Sequence, residues 1–212
     1  MKLIRNLMYA AIPTGLILVI AAAPQNDERP LRDVAAPDTG AVTYTIDDVH
    51  SCALFRVHHL GAGQFWGRFN DVQGTFTFDE TGAANPSFDV TIMTDSVDTN
   101  AQELDDHLKR REFFDTAEYP EMTFRSSSVR KSSGGNYEIV GDLTIRGVTK
   151  PITAEVEWTG AADFGPQAGG PRCGFEARFT IDRGEFNVSY GLENGAVGRE
   201  VRIIVGLEGV KQ

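Results

Sequence analysis

From Val42 onward, apolar and polar side chains alternate with a period of two, in short runs separated by turn residues. A first run covers 42–47. In 52–59, Phe55 and Val57 share a face; in 72–79, Phe76 and Phe78 alternate with Thr75 and Thr77; in 87–94, Phe88, Val90 and Ile92 share a face. Met122, Phe124 and Val129 are the apolar positions of 121–131, and Ile139, Leu143 and Ile145 those of 137–146. The pattern continues through Ile152, Ala154, Val156 and Trp158, through Phe175, Ala177, Phe179 and Ile181, and through Val201, Ile203, Val205 and Leu207. A period of two marks strands with one face on a core and one on water. Eight or so such strands at regular spacing predict an all-β sandwich or barrel. Several runs reach about ten residues, roughly 33 Å of strand, which is long for a compact sandwich and natural for a tall barrel.

One stretch breaks the alternation. Residues 100–111 are good helix formers with acids early and Lys109, Arg110 and Arg111 late, as the helix dipole favours. Thr99 and Gln102 are placed for a capping box, and Leu104 and Leu108 fall on one face. Phe113 and Phe114 follow directly. Two placements stay open: a lid over one barrel end, or a helix packed against the outer wall.

The N-terminus has a different texture. Lys2 and Arg5 precede an apolar run, 16–20, that ends in Ala21-Ala22-Ala23. Residues 1–23 therefore read as a signal peptide. Pro13 and Gly15 interrupt the run, so stable membrane insertion is not expected once the segment is cleaved; uncleaved, it would be an anchor. Residues 24–41 mix proline and charge without periodicity and read as a disordered linker. The single folded domain expected is 42–210, in a periplasmic or secreted protein.

Charge narrows the partners. The chain carries 20 Lys+Arg against 30 Asp+Glu, a net of −10. Loss of residues 1–23 removes two bases and no acids, leaving 18 against 30 and a net of −12. That excludes a nucleic-acid binder, which needs a basic face, and argues against docking by net charge on anionic membranes. The two cysteines, Cys52 and Cys173, fall at opposite parity relative to the inward faces of their strands, so no disulfide is expected between them.

Candidate chemistry is sparse. His58 and His59 are neighbours in a strand and point to opposite faces, and no HExxH or CxxC occurs. No GxSxG or SxxK is present, and Gly61 and Gly63 lack the third glycine of a nucleotide loop. Asp105, Asp106 and His107 resemble an acid–base set, but adjacent helix residues face different ways; solvated helix charges with one cap contact are the expected reading. No metal, cofactor or catalytic residue is expected. The informative supply is aromatic: most of the 13 Phe fall on inward faces. An eight-stranded barrel can pack solid or hold one ligand, and the pattern alone leaves both open.

Several runs, in order, resemble the YceI-like family: YTIDDVHSCALFRVHHLGAGQFWGRFNDVQGTFTFD (44–79), SVDTN (96–100), DDHLKRREFFDTAEYPEMTF (105–124), VGDLTIRGVTKPI (140–152) and GFEARFTIDRGEF (174–186). The resemblance spans nearly all of 42–210 and departs at Cys52, Cys173 and Asn187. It implies an extended, lipocalin-like, eight-stranded antiparallel β-barrel with one α-helix between strands. It also implies a pore for a polyisoprenoid or similar long-chain amphiphilic lipid, and a bacterial periplasmic location. The residues then expected to contact ligand are Phe55, Val57, Phe76, Phe78, Phe88, Val90, Ile92 and Phe124 in the first half of the domain. Leu143, Ile145, Val156, Trp158, Phe175, Phe179, Ile203 and Val205 complete the set. The alternative is a ligand-free secreted stress or interaction protein with a filled barrel. A homodimer is left open.

Overall fold

The computed structural model describes residues 32–33, 40–79, 81 and 85–212. The expected signal peptide, 1–23, lies outside the described residues, as do most of the expected linker, 24–41, and Glu80 and Gly82 of one turn. Within that linker range Arg32–Asp33 is described as a two-residue strand paired with Val129 and Ser128.

Eight antiparallel staves form the domain. β1 is Val42–Ile46 continued as Cys52–His59, and β2 is Gly63–Phe69 continued as Val72–Phe78. β3 is Ser87–Met93 with the short Val97–Asp98, β4 is Glu121–Lys131 and β5 is Tyr137–Ile145. β6 is Val148–Asp163, β7 is Pro171–Asp182 and β8 is Val197–Lys211. Each stave pairs with the next in sequence, and β8 pairs back onto both halves of β1, so the sheet closes into a barrel. Closure leaves no long unpaired edge.

The up-and-down order sends alternate loops to opposite ends. The connections that follow Phe78, Lys131 and Asp163 lie at one end. Those at 60–62, 94–120, 146–147 and 183–196 lie at the other, here called the helix end, because α1 (Gln102–Leu108) belongs to the 94–120 insertion. The β5–β6 turn is only Arg146-Gly147, both with positive φ (48° and 70°), as a two-residue hairpin turn of the I′ type requires. Arginine is a poor residue there, and its long side chain compensates. Its guanidinium donates to the Asn187 carbonyl, lies over the Tyr119 ring at 5.8 Å and sits 3.8 Å from Asp115, tying three helix-end segments together.

Two differences from the sequence pattern have physical causes. Gly63–Phe69 (GQFWGRF) is a full strand that the alternation does not announce, because its two glycines lower strand propensity. Gly67 leaves room for a ring: a Cβ there would come 2.3 Å from the tip of Phe55 on the paired stave, so that ring rests against the glycine. The helix is shorter than 100–111, and Ala101 caps it without a side-chain bond. Asp105 reaches back instead, accepting from the Thr99 backbone N–H (2.7 Å) and hydroxyl (2.6 Å). The capping box expected of Thr99 and Gln102 therefore does not form, and Gln102 donates to Asp106 instead. Among the described residues no helix is long and apolar enough to cross a membrane. No disulfide joins Cys52 and Cys173; Cys173 is buried and Cys52 half-buried.

Candidate functional site: a blind apolar cavity

The barrel interior is not filled. A cavity of about 530 Å³ runs from an aromatic floor toward the helix end, within the range typical of small-molecule pockets. The floor is Phe88 and Phe175, whose rings meet edge to face at 5.2 Å. Beneath them Phe76 and Phe78 each present to Phe175 edge-on, at 5.4 and 5.1 Å, and Tyr44 stacks on Phe76 at 5.2 Å. Rings interlocked in this way close that end to solvent.

Three of the sixteen positions expected to contact ligand lie off the cavity. Phe76 and Phe78 point inward but are sealed below the floor, 1% and 3% exposed. Trp158 is 39% exposed: it sits where β6 bulges between Trp158 and Gly160, and it packs its ring on Phe78 outside the cavity. The other expected positions all line the cavity. Several of them, Phe55, Ile92, Phe124, Phe179 and Ile203, are only half-buried although their parity is inward, because their accessible surface looks into the cavity.

The helix end closes over this space. Leu104 and Leu108 of α1, with Phe113 and Phe114, contribute to the lining, so the insertion is a lid and not an outer-wall helix. Phe114 meets Phe69 edge-on at 5.2 Å. A strap after β7 supplies Phe186, Val188 and Tyr190. The His107 ring stands perpendicular to both Phe113 (5.0 Å) and Tyr190 (5.2 Å), and Phe113 and Tyr190 lie 4.8 Å apart. These three rings clasp lid to strap. His107 Nε2 is 3.3 Å from Glu112.

Arg183 organises the strap. It is 5% exposed, and its guanidinium donates to the carbonyls of Val188 (2.7 Å), Tyr190 (2.8 Å), Val197 (2.8 Å) and Gly198 (2.7 Å). Burial lowers its pKa, yet the carbonyl dipoles hold the cation without a carboxylate in hydrogen-bond contact among the described residues. Asn187, in the strap, takes left-handed φ 61° and ψ 17°, a conformation that glycine and asparagine tolerate. The alternation marks neither Arg183 nor Tyr190, since a lone arginine after an apolar strand carries no periodicity; Arg183 is flagged only as the end of the Ile-Asp-Arg in the run 174–186 that resembles the family.

The polar lining residues are His59, His107, Thr123, Arg183 and Tyr190, and all of them stand toward the helix end. His58 faces the opposite way from His59 and meets Gln64 on the outer wall at 3.1 Å. Among the described residues one group has metal-ligand character: Asp47, His50 and Glu208, with donor atoms within 4.8 Å of one another. The Arg172 guanidinium donates to both Asp47 (2.6 Å) and Glu208 (2.5 Å), so the site already holds a cation. That arginine holds the Asp47 carboxyl down at about 2.

Closed staves, a sealed aromatic floor, a lidded mouth and a cavity between them define a lipocalin-like barrel with an internal apolar pocket. The YceI-like domain matches residues 44–209, and the chain belongs to this family. It is 45% identical over 174 residues to protein YceI of Escherichia coli O17:K52:H18, covering 81% of this chain and 88% of that protein. Among solved structures, Burkholderia cenocepacia BcnA superposes with a TM-score of 0.67 at 27% identity, over 77% of this chain and 98% of the other. A polyisoprenoid binding domain from Saccharophagus degradans, implicated in plant cell wall breakdown, shares the fold at TM-score 0.61 and 14% identity, over 81% and 99%.

Proposed function

We propose that this protein is a binding protein, not an enzyme, that encloses a polyisoprenoid or similar long-chain amphiphile, with the tail toward the Phe88–Phe175 floor. One observation carries the reading: polarity along the cavity is graded. The floor and walls are apolar, and every polar lining side chain lies toward the helix end. A molecule matching that gradient has a long apolar tail and a polar head at the mouth. Burying about ten methylenes at ~0.8 kcal/mol each contributes roughly 8 kcal/mol, equivalent to micromolar affinity with no polar contact at all. The Saccharophagus degradans domain, which carries the same fold, supports the ligand class. The segment 1–23 supports export to the periplasm or beyond, where an apolar chain needs shielding from water.

The filled-barrel alternative has less support, since an interlocked core would leave no space of this size. The test is organic extraction of protein purified from an expressing bacterium, followed by mass spectrometry. A long-chain lipid in near-stoichiometric amount is expected. Absence of any such lipid, together with no uptake of solanesol by the stripped protein, would overturn the reading.

A further inference from the structure

Charge on the outer wall is unevenly placed despite the net of −10. A surface groove gathers Arg56, His58, Gln64, Arg199 and Arg202 on β1, β2 and β8, together with side chains of β5, β6 and β7. Arg56 and Arg202 are direct cross-strand partners. Like charges directly opposite one another destabilise a sheet. Neither arginine forms an ion pair with any described carboxylate, whereas the neighbouring Arg178 and Arg199 are paired, with Glu157 and Asp182. Glu138, Glu155 and Glu200 share the groove, but none of them is ion-paired with Arg56 or Arg202, and Glu138 is engaged by Arg130.

Apolar surface adjoins the pair. Trp66, the partner of Arg56 across β1–β2, is 48% exposed with the Arg56 guanidinium 5.7 Å from its ring. The same hairpin ends in Leu60, 66% exposed and at a positive φ of 50°. A β-branched or bulky residue rarely sits there without cause. The Leu60 N–H donates to the Ala196 carbonyl at 2.8 Å, which fixes this tip to the strap that closes the cavity. Two arginines without a carboxylate partner among the described residues, an indole and a projecting leucine therefore lie on one hairpin and its neighbouring stave, and that hairpin ends beside the mouth.

We propose that this face docks the barrel on an anionic bilayer, with the arginines at the phosphates and Leu60 and Trp66 in the interface, so that the helix end opens toward the lipid. Tryptophan prefers that depth, where one end of its ring is wet. The acidic remainder of the surface is repelled by the same bilayer, which restricts the orientations available. Docking in this way lets an apolar tail pass between bilayer and cavity without crossing water; the proposal thus rests on the lipid-binding reading and adds the route of loading.

Co-sedimentation with vesicles of phosphatidylcholine and phosphatidylglycerol tests it, using the full chain. Each arginine near an anionic surface contributes a factor of about five to partitioning, so R56Q/R202Q is expected to lose roughly 25-fold. L60S is expected to reduce binding further at unchanged charge. Binding is expected to fall steeply with salt and to vanish on pure phosphatidylcholine. Circular dichroism and co-purified lipid, measured on each variant, separate loss of docking from loss of fold or of cavity function. Wild-type protein that ignores anionic vesicles, or binds them equally after R56Q/R202Q, overturns the proposal. So does wild-type protein that binds an acidic peptide through these arginines but no vesicle.

Discussion

Ala177→Trp separates a cavity from a core. Ala177 lies one inward position above the floor ring Phe175, and its register partners are Val156 on β6 and Val205 on β8. Two residues of strand place it about 7 Å above the floor ring. In an interlocked interior, an indole at this point would force neighbours from their rotamers and cost about 1–3 kcal/mol. Here it has space to enter. A buried tryptophan covers about 150–250 Å², the surface of roughly five to eight methylenes at ~25 cal/mol per Å² and ~0.8 kcal/mol each. A tail that reaches the floor forfeits that contact, about 4–6 kcal/mol, which is a 10³- to 10⁴-fold loss of affinity. A short tail that never reaches Ala177 forfeits little. Competition binding with farnesol and the longer solanesol, alongside urea melts of the stripped protein, reads all three quantities. The expected outcome is unchanged or raised stability, solanesol weakened by orders of magnitude and farnesol nearly unaffected. A variant destabilised by 1–3 kcal/mol that binds both alcohols as before would refute the open cavity.

Further tests address other parts of the molecule. Arg183→Met leaves two strap carbonyls and two at the start of β8 without their donor and is expected to cost about 3–5 kcal/mol, read as a urea midpoint shift accompanied by new proteolysis within 187–196. Asp47 titrates near 2 in the fold against 3.8 ordinarily. Its carboxylate therefore stabilises fully above about pH 4, and that contribution is lost as pH falls toward 2; urea midpoints between pH 2 and 5 should fall less steeply in Arg172→Gln than in wild type, and equal slopes would sink the assignment. Thiol titration of unfolded, unreduced protein should find both cysteines, with Cys52 reacting before Cys173 in the native state; fewer than two thiols would contradict the structure.

Most of the barrel was legible because burial on one face of a strand imposes a period of two. Thirteen of the sixteen positions expected to meet ligand lie on the cavity wall, and Phe76, Phe78 and Trp158 lie off it. Parity tells inside from outside but not height along the axis, and height decides whether an inward ring lines a cavity or seals its floor. Trp158 illustrates a second gap, since a bulge beside it ends the register that the alternation assumes. The lid could be read as a helix but not located, because its two leucines would suit either an outer wall or an open mouth. The strap was invisible: Arg183 and Tyr190 act through backbone carbonyls and ring contacts that leave no periodic trace.

Glycines on the inward face give the barrel an adjustable calibre. The Phe55 ring lies against Gly67, the Phe124 ring against Gly141 and the Phe76 ring against Gly209, each where an added methyl would stand within 2.6 Å of the ring. These rings are recessed into notches of the wall. A Gly→Ala change at 67, where only the Phe55 ring is met, would displace that ring into the lumen and narrow the bore at that height, while strand count and closure stay as they are; at 141 the added methyl would also meet the Arg125 backbone carbonyl at 2.5 Å, so the strand itself would have to shift. Relatives with this architecture can thus diverge in the width of guest they admit through one-codon steps, with the frame of the molecule left intact.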